Sequence, residues 1–216
     1  MDPQPSTGLR QAVRTGALVL AGLLTATGCS GTAEPVAARS AGASPPPPDP
    51  AVPRLDKPTT VLGTWNESLD RRLTMVAQST MSGLKPLLDG EPGSAVGTAY
   101  IPVKEEHSAE LGLYRPGDRR VVLLSGVSGT VPDPERALDQ IFARLTAITD
   151  VTPVPPGPVG GSARCGHGRS GGVWFDVCAW ADRHTLGVVH LADFPQTAQP
   201  QEIFRQIRAQ TEHAAP

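Results

Sequence analysis

The stretch that decides the fold is Val173-Trp-Phe-Asp-Val-Cys-Ala-Trp-Ala181. Its side chains alternate in type, and an alternation of period two predicts a β-strand. One face would carry Val173, Phe175, Val177 and Ala179. The other face would carry both tryptophans of the segment and a cysteine, namely Trp174, Cys178 and Trp180.

Turn-forming residues flank this strand on both sides. Gly166-His-Gly-Arg-Ser-Gly-Gly172 separates it from Ser162-Ala-Arg-Cys165, and Asp182-Arg-His184 separates it from a strand at Leu186–Leu191. Two successive hairpins would make the three strands an antiparallel meander. Cys165 and Cys178 would then lie on adjacent strands, and we expect a disulfide between them.

Three helices are predicted around the strands. Residues 69–88 show near-helical spacing of Leu69, Leu73 and Val76, with Leu84, Leu87 and Leu88 as further candidates, and this helix should end before Gly83 or Pro86. Asp133 and Pro134 begin a second helix, and Pro200 opens the third. The inward residues would be Leu138, Ile141, Phe142, Leu145 and Ile148 in the second helix, and Ile203, Phe204 and Ile207 in the third.

The remaining segments complete the prediction of fold class. Residues 95–103, 110–115 and 119–126 are predicted strands, and the Pro- and Gly-containing residues 151–161 are a predicted loop. The order of elements predicts one α+β domain, a mostly antiparallel sheet with helices packed on one face.

The amino terminus has the features of a secretory signal. Arg10 and Arg14 precede the short apolar run 16–24, which is about half as long as a membrane span. Ala26-Thr-Gly-Cys29 resembles the lipobox of bacterial lipoproteins, in which the cysteine becomes the lipid-carrying first residue. Acyl chains such as palmitate would anchor the chain. Ala26 departs from the usual leucine, so ordinary cleavage and a free secreted product remain an alternative.

Three regions follow from this. Residues 1–28 are predicted to be the signal peptide, residues 29–58 the lipidated terminus and a disordered Pro-rich linker, and residues 59–216 the extracytoplasmic domain. The chain has a net charge of -2 and no basic stripe, which argues against a nucleic-acid partner.

Part of the sequence resembles uncharacterised secreted or membrane-tethered proteins of actinobacteria. The similarity is carried by residues 155–161, Cys165-Gly, Val177-Cys-Ala-Trp-Ala-Asp182 and Thr185-Leu-Gly-Val-Val189, and it spans about 80 residues from the Asp133 helix onward. It implies the same fold and disulfide but no activity.

Three weak candidates for chemistry can be weighed. His167, His184, His190 and Asp182 lack the close pairing typical of zinc ligands, and we expect histidines in solvated turns. Ser125-Gly-Val-Ser-Gly-Thr130 lacks the second glycine of a nucleophile elbow and suggests a strand-to-helix loop. Glu105, Glu106 and His107 suggest a charged hairpin loop. We therefore predict no catalytic residue, cofactor or metal.

Trp174 and Trp180 are the best candidates for binding. They either pack on the disulfide beneath a helix or loop, or form an aromatic surface for a glycan or protein partner. The sequence thus favours a membrane-tethered, non-enzymatic binding domain of unknown ligand. A cell-envelope enzyme with dispersed site residues is the alternative.

Overall fold

The computed structural model describes residues 53–110, 112–114, 117–196 and 198–214. The predicted signal peptide and Cys29 lie outside these residues. The strands are β1 (Pro53–Leu55), β2 (Thr60–Val61), β3 (Trp65–Glu67), β4 (Asp89–Ile101), β5 (Glu106–Ser108), β6 (Gly112–Tyr114), β7 (Val121–Thr130), β8 (Ile148–Val154), β9 (Ser162–Ser170), β10 (Val173–Ala181), β11 (Thr185–Ala192) and β12 (Glu212–Ala214). The helices are α1 (Arg71–Leu84), which continues into a 3-10 turn at Lys85–Leu87, α2 (Pro134–Arg144) and α3 (Pro200–Thr211).

Eight strands form the main sheet in the order β2-β3-β4-β7-β11-β10-β9-β8, and every neighbouring pair is antiparallel. This confirms the α+β class and the meander β9-β10-β11. Strand β10 has the predicted bounds, while β9 continues to Ser170, so the first turn is only Gly171-Gly172. Both glycines have positive φ, 55° and 84°, which is the conformation that tight hairpin turns require.

The prediction that all helices pack on one face of the sheet is wrong. Leu138 and Ile141 of α2 pack with Val177 and Ala179 of β10, on the face that α1 also covers through Leu84. The inward residues of α3, Phe204 and Ile207, pack instead with Cys178 and Trp180 on the opposite face. Strand β10 is apolar on both faces, so each face needs a cover.

Helix α2 begins as predicted. The Asp133 side chain accepts a hydrogen bond from the backbone N–H of Arg136 at 3.0 Å, and Pro134 occupies the first turn. The helix ends at Arg144, so Leu145 caps it and Ile148 belongs to the next strand rather than to the helix.

Helix α1 lies where predicted, but its buried face differs in part from the prediction. Leu84 is buried as expected, whereas Leu69 and Val76 are exposed and Ala77 is buried in their place. The helix approaches the sheet so closely that a Cβ on Gly97 would lie 2.9 Å from Gln78 Cα. Only small residues fit at such a contact. A helix face identified from the spacing of large apolar side chains therefore does not include it.

Residues 151–161, predicted to be a loop, contain part of strand β8. This strand lies at one edge of the sheet, pairs with β9 through an irregular register between Thr149 and Thr152, and contains Pro153. Asp150 has a φ of 51° within this irregularity. A proline is tolerated at a sheet edge because its missing N–H can face solvent. The other edge is the two-residue strand β2.

The predicted domain boundary at residue 58 lies inside the fold. Strand β1 pairs with β12, with Leu55 opposite Glu212. Leu55 is buried in the core beside Trp180 and Phe204. The composition around Leu55 predicts a linker, but burying its apolar side chain stabilises this segment as part of the domain. Among the described residues, no helix is long and apolar enough to cross a membrane.

The predicted disulfide between Cys165 and Cys178 is present. The two residues lie directly opposite each other on β9 and β10, with their Cα atoms 4.1 Å apart. The bridge fixes this part of the meander to the core beneath α3.

We expect reduction of the disulfide to lower the free energy of unfolding by about 3 kcal/mol, because the bridge restricts the unfolded chain. In a domain of this size this corresponds to a midpoint lower by roughly 6–12 °C. Thermal unfolding of the Cys29→Ala protein with and without reductant measures the effect. A Cys165→Ser/Cys178→Ser variant should not respond to reductant, and equal midpoints for the oxidised and reduced protein would refute a stabilising bridge.

Candidate functional site

Trp180 is buried beneath a helix together with the disulfide, which is the first of the two arrangements expected for the tryptophans, and it is therefore not part of a binding surface. Its relative exposure is 0%. A Cβ on Gly187, its partner on β11, would lie 1.9 Å from the indole ring. Phe204 covers the ring with centroids 6.0 Å apart. The glycine therefore makes room for the tryptophan, and α3 covers it.

A buried arginine lies beside Trp180. The Arg208 guanidinium donates to Glu212 Oε2 at 2.8 Å and Asp182 Oδ2 at 2.9 Å, and to the backbone oxygens of Pro156 and Gly160. It also lies 5.5 Å from the centre of the Trp180 ring. Burial raises the pKa of the Glu212 carboxyl, while the hydrogen bond from Arg208 opposes that rise. Because these groups satisfy one another inside the protein, the cluster is structural.

Trp174 has the opposite environment from Trp180 on the same strand. Its relative exposure is 42%, and it lines a recess of about 330 Å³. We call this the Trp174 recess; its side chains include His167, Trp174, Asp176, Phe194, Pro195 and Gln196. Its volume is at the lower end of the roughly 300–1,000 Å³ that ligand pockets occupy.

The register of β9 and β10 brings two cross-strand pairs into the recess region. Trp174 is opposite Arg169, and Asp176 is opposite His167. The Arg169 guanidinium lies 5.6 Å from the centre of the Trp174 ring, and the His167 ring centroid is 6.3 Å away. Directly paired residues on antiparallel strands share one face, so these four side chains continue the face that carries the disulfide.

The opposite wall is the segment after β11. Asp193 has a φ of 60°, and its backbone N–H donates to Trp174 O at 3.0 Å. The next residue, Phe194, stacks on Trp65 with ring centroids 5.3 Å apart. The guanidinium of Arg120 lies 5.8 Å from the Phe194 ring. The wall is therefore held to the sheet by contacts outside the recess.

Asp176 supplies the recess with an acceptor. Among the described residues its carboxylate has no hydrogen-bond partner. Burial raises the pKa of the Asp176 carboxyl, and the charge of His167 opposes the rise. The recess thus combines an aromatic platform, an acceptor and the polar atoms of His167 and Gln196. Such a set can orient a ligand, and it also includes a carboxyl group that could transfer a proton.

A larger groove of about 690 Å³ lies between α2 and the strands β8 and β9. Its main charge, the Arg164 guanidinium, donates to Asp139 Oδ1 at 2.6 Å and to Glu135 Oε2 at 2.7 Å. Ser162 also donates to Glu135. Because these charges are already paired with one another, the groove offers fewer free polar groups than the Trp174 recess.

The three histidines considered as metal ligands do not lie close together. His184 lies in a turn, as expected, but His167 lies in β9 and His190 lies on the opposite face of the sheet, paired with Val177. The expected turn position is therefore wrong for His167, which is exposed but lies in a strand, while His190 lies in the strand predicted at Leu186–Leu191 and is not a solvated residue. Among the described residues, no group of three or more His, Cys, Asp or Glu could hold a metal ion.

The serines of residues 125–130 and the charged residues 105–107 were the other two candidates for chemistry, and they form hydrogen bonds or strand pairs within the fold. Ser125 and Ser128 lie within β7 rather than in a strand-to-helix loop, which corrects that expectation. Ser125 donates to Ala77 O, and Ser128 Oγ lies 2.7 Å from Ser94 Oγ. Glu105 accepts hydrogen bonds from the Ser68 hydroxyl and the Leu69 backbone N–H. Glu106 and His107 lie in strand β5 of the β5-β6 hairpin rather than in a hairpin loop, which corrects their expected position.

Sequence reasoning missed Asp176, Phe194 and Arg208. The sequence does indicate Asp176 as a candidate, because it is the one charged residue within the apolar strand β10. The sequence also indicated Arg208, since it follows Phe204 by four residues on the inward face of α3.

Comparisons of the chain with protein-family models, curated proteins and solved structures found no match.

His190 is a half-buried titratable group outside the recess. Its Nδ1 atom is buried and has no hydrogen-bond partner among the described residues. Burial lowers the pKa of His190 from 6.5 to about 4. The folded protein therefore binds this proton less readily than the unfolded chain does.

Between pH 6.5 and about 4 the unfolded chain binds a proton at His190 and the folded protein does not. We therefore expect the contribution of His190 to the free energy of unfolding to be full above pH 6.5 and to be lost as the pH falls towards about 4. The loss should total about 3 kcal/mol, at about 1.4 kcal/mol per pH unit. Denaturant unfolding across this range measures it. His190→Gln should flatten this part of the pH profile, whereas His184→Gln in the exposed turn should not. An unchanged profile in His190→Gln would refute the assignment.

Proposed function

We propose that this chain is a lipid-anchored, extracytoplasmic binding protein without enzymatic activity, and that the Trp174 recess is its binding site. One observation carries the proposal: a partly exposed tryptophan shares a recess with a carboxylate that has no hydrogen-bond partner among the described residues. Aromatic and apolar walls with a few polar groups are typical of ligand sites.

The sequence supports the location. The apolar run and the lipobox-like residues before Cys29 favour export and lipidation, and the disulfide Cys165–Cys178 suits an oxidising compartment. The Pro-rich residues before the domain would act as a spacer between membrane and domain. The resemblance to secreted and tethered actinobacterial proteins points the same way. If Ala26 prevents lipidation, the same domain would act as a free secreted protein.

The partner is proposed to be a component of the cell envelope, either a glycan or a protein. The membrane contact would run through the lipid at Cys29. A nucleic acid is a poor candidate, since the chain has a net charge of -2. We assign no cofactor or metal to the site.

A cell-envelope enzyme is the second candidate, and one observation favours it. Asp176, whose pKa is raised, lies directly opposite His167 on the neighbouring strand. Perturbed acids in recesses are common in active sites. Binding is the better supported function because His167 is half-exposed and its Nε2 lies 3.2 Å from Asp150 Oδ2, so this nitrogen contacts an exposed carboxylate rather than Asp176.

Changing Cys29→Ala should abolish the diacylglycerol mass increment and release the protein from the membrane fraction, because the thioether requires the cysteine sulfur. Intact mass and membrane partition in a native-type host measure both effects. Cys165→Ser/Cys178→Ser serves as the control and should remain lipidated. A wild-type protein of unmodified mass in the medium would refute the anchor and leave the secreted form.

Changing Trp174→Ala in the Cys29→Ala protein should lower co-sedimentation with purified cell-envelope material, because the aromatic wall of the recess is lost. Met75→Ala is a matched control, since Met75 is also an exposed apolar residue but lies on α1. Equal sedimentation of all three proteins would refute the proposed site. Chemical conversion of the envelope material that Asp176→Asn abolishes would favour the enzyme instead.

A further inference from the structure

The charges around the Trp174 recess restrict the class of ligand. Arg169 lies over the Trp174 ring and would repel a cationic ligand that approached the indole. The Asp176 carboxylate lines the recess and would repel an anionic ligand. A ligand without net charge avoids both penalties.

The hydrogen-bonding groups require a ligand with several polar atoms. Asp176 provides an acceptor, the Gln196 amide provides both a donor and an acceptor, and the His167 ring adds Nδ1, because its Nε2 lies against Asp150. A hydrocarbon would leave these groups unsatisfied, which costs free energy. The ligand should therefore carry hydroxyl or amide groups around an apolar face.

The strand pairing argues against an extended peptide as the ligand. Strand β10 lies between β9 and β11, and β9 lies between β10 and β8. The backbone groups beneath the recess are therefore used within the sheet. A peptide that binds by adding a strand needs an unpaired edge, and the floor of this recess does not provide one.

We propose that the Trp174 recess binds a neutral pyranose saccharide, with one face of the sugar ring stacked on the indole face that Arg169 does not cover and a ring hydroxyl donating to Asp176. Sugar rings have an apolar C–H face and a polar rim, which matches an aromatic platform next to polar side chains. The inference rests on the proposed binding function and names its ligand class. The recess volume of about 330 Å³ fits a short saccharide segment.

The test is titration of the Cys29→Ala protein with three soluble probes: the β-1,4-linked tetrasaccharide of N-acetylglucosamine, maltotetraose and a mannose tetrasaccharide. Calorimetry gives the affinity. The indole N–H signal of Trp174 in NMR spectra, assigned with Trp174→Phe, reports the site. At least one probe should bind in the micromolar to millimolar range and shift that signal.

The variants separate stacking from hydrogen bonding. Trp174→Ala and Asp176→Asn should each weaken binding by about tenfold, which is the effect of losing one good contact. Trp174→Phe keeps an aromatic platform and should bind within a few-fold of the parent protein. Met75→Ala on α1 should bind equally well. Trp174→Phe and Asp176→Asn change shape little, so they remain informative if Trp174→Ala is poorly folded.

Three outcomes would overturn the inference. These are no binding of any saccharide at millimolar concentration, binding that does not respond to Trp174 or Asp176 variants, and Trp174-dependent binding of tetramethylammonium or a neutral tetrapeptide in place of the sugars. If Trp174-dependent sedimentation with envelope material persists in any of these cases, the binding function stands and only the saccharide class fails. If that sedimentation is also absent, both fail.

Discussion

The rest of the structure depends on the buried guanidinium of Arg208. It joins Asp182 at the end of β10, Glu212 at the start of β12, and the backbone of the loop at Pro156 and Gly160. A buried carboxylate without a cation is very costly, so the burial of Glu212 depends on its pairing with Arg208. The arginine thereby holds α3 against the face of the sheet that carries the disulfide.

The position of α3 explains why two tryptophans on one strand face have different roles. Phe204 and Arg208 cover Trp180, near the end of β10. Pro200 begins the helix at the wall of the Trp174 recess. The helix thus buries one end of the strand face and leaves the other end open. The disulfide at Cys178 lies between the two ends and fixes β9 to β10 at that point.

The sequence predicts correctly those features that depend on residues close together in the chain. The alternation in Val173–Ala181 and the cap at Asp133 were found correctly, because strand period and helix capping depend on neighbouring residues. Strand β8 and the placement of α3 depend on distant partners, so the sequence did not reveal them. For the same reason Trp174 was identified as a candidate, while the role of Asp176 emerged only once the register had placed it beside the Phe194 wall.

The two edges of the main sheet have a consequence for the behaviour of many copies together. An exposed edge strand can pair with the edge of another molecule when many copies of a protein lie close together. Here one edge is only Thr60–Val61, and the other is interrupted at Asp150 and contains Pro153. Neither edge presents a long regular row of free backbone groups. Both edges of the main sheet therefore disfavour strand pairing between neighbouring copies of the chain.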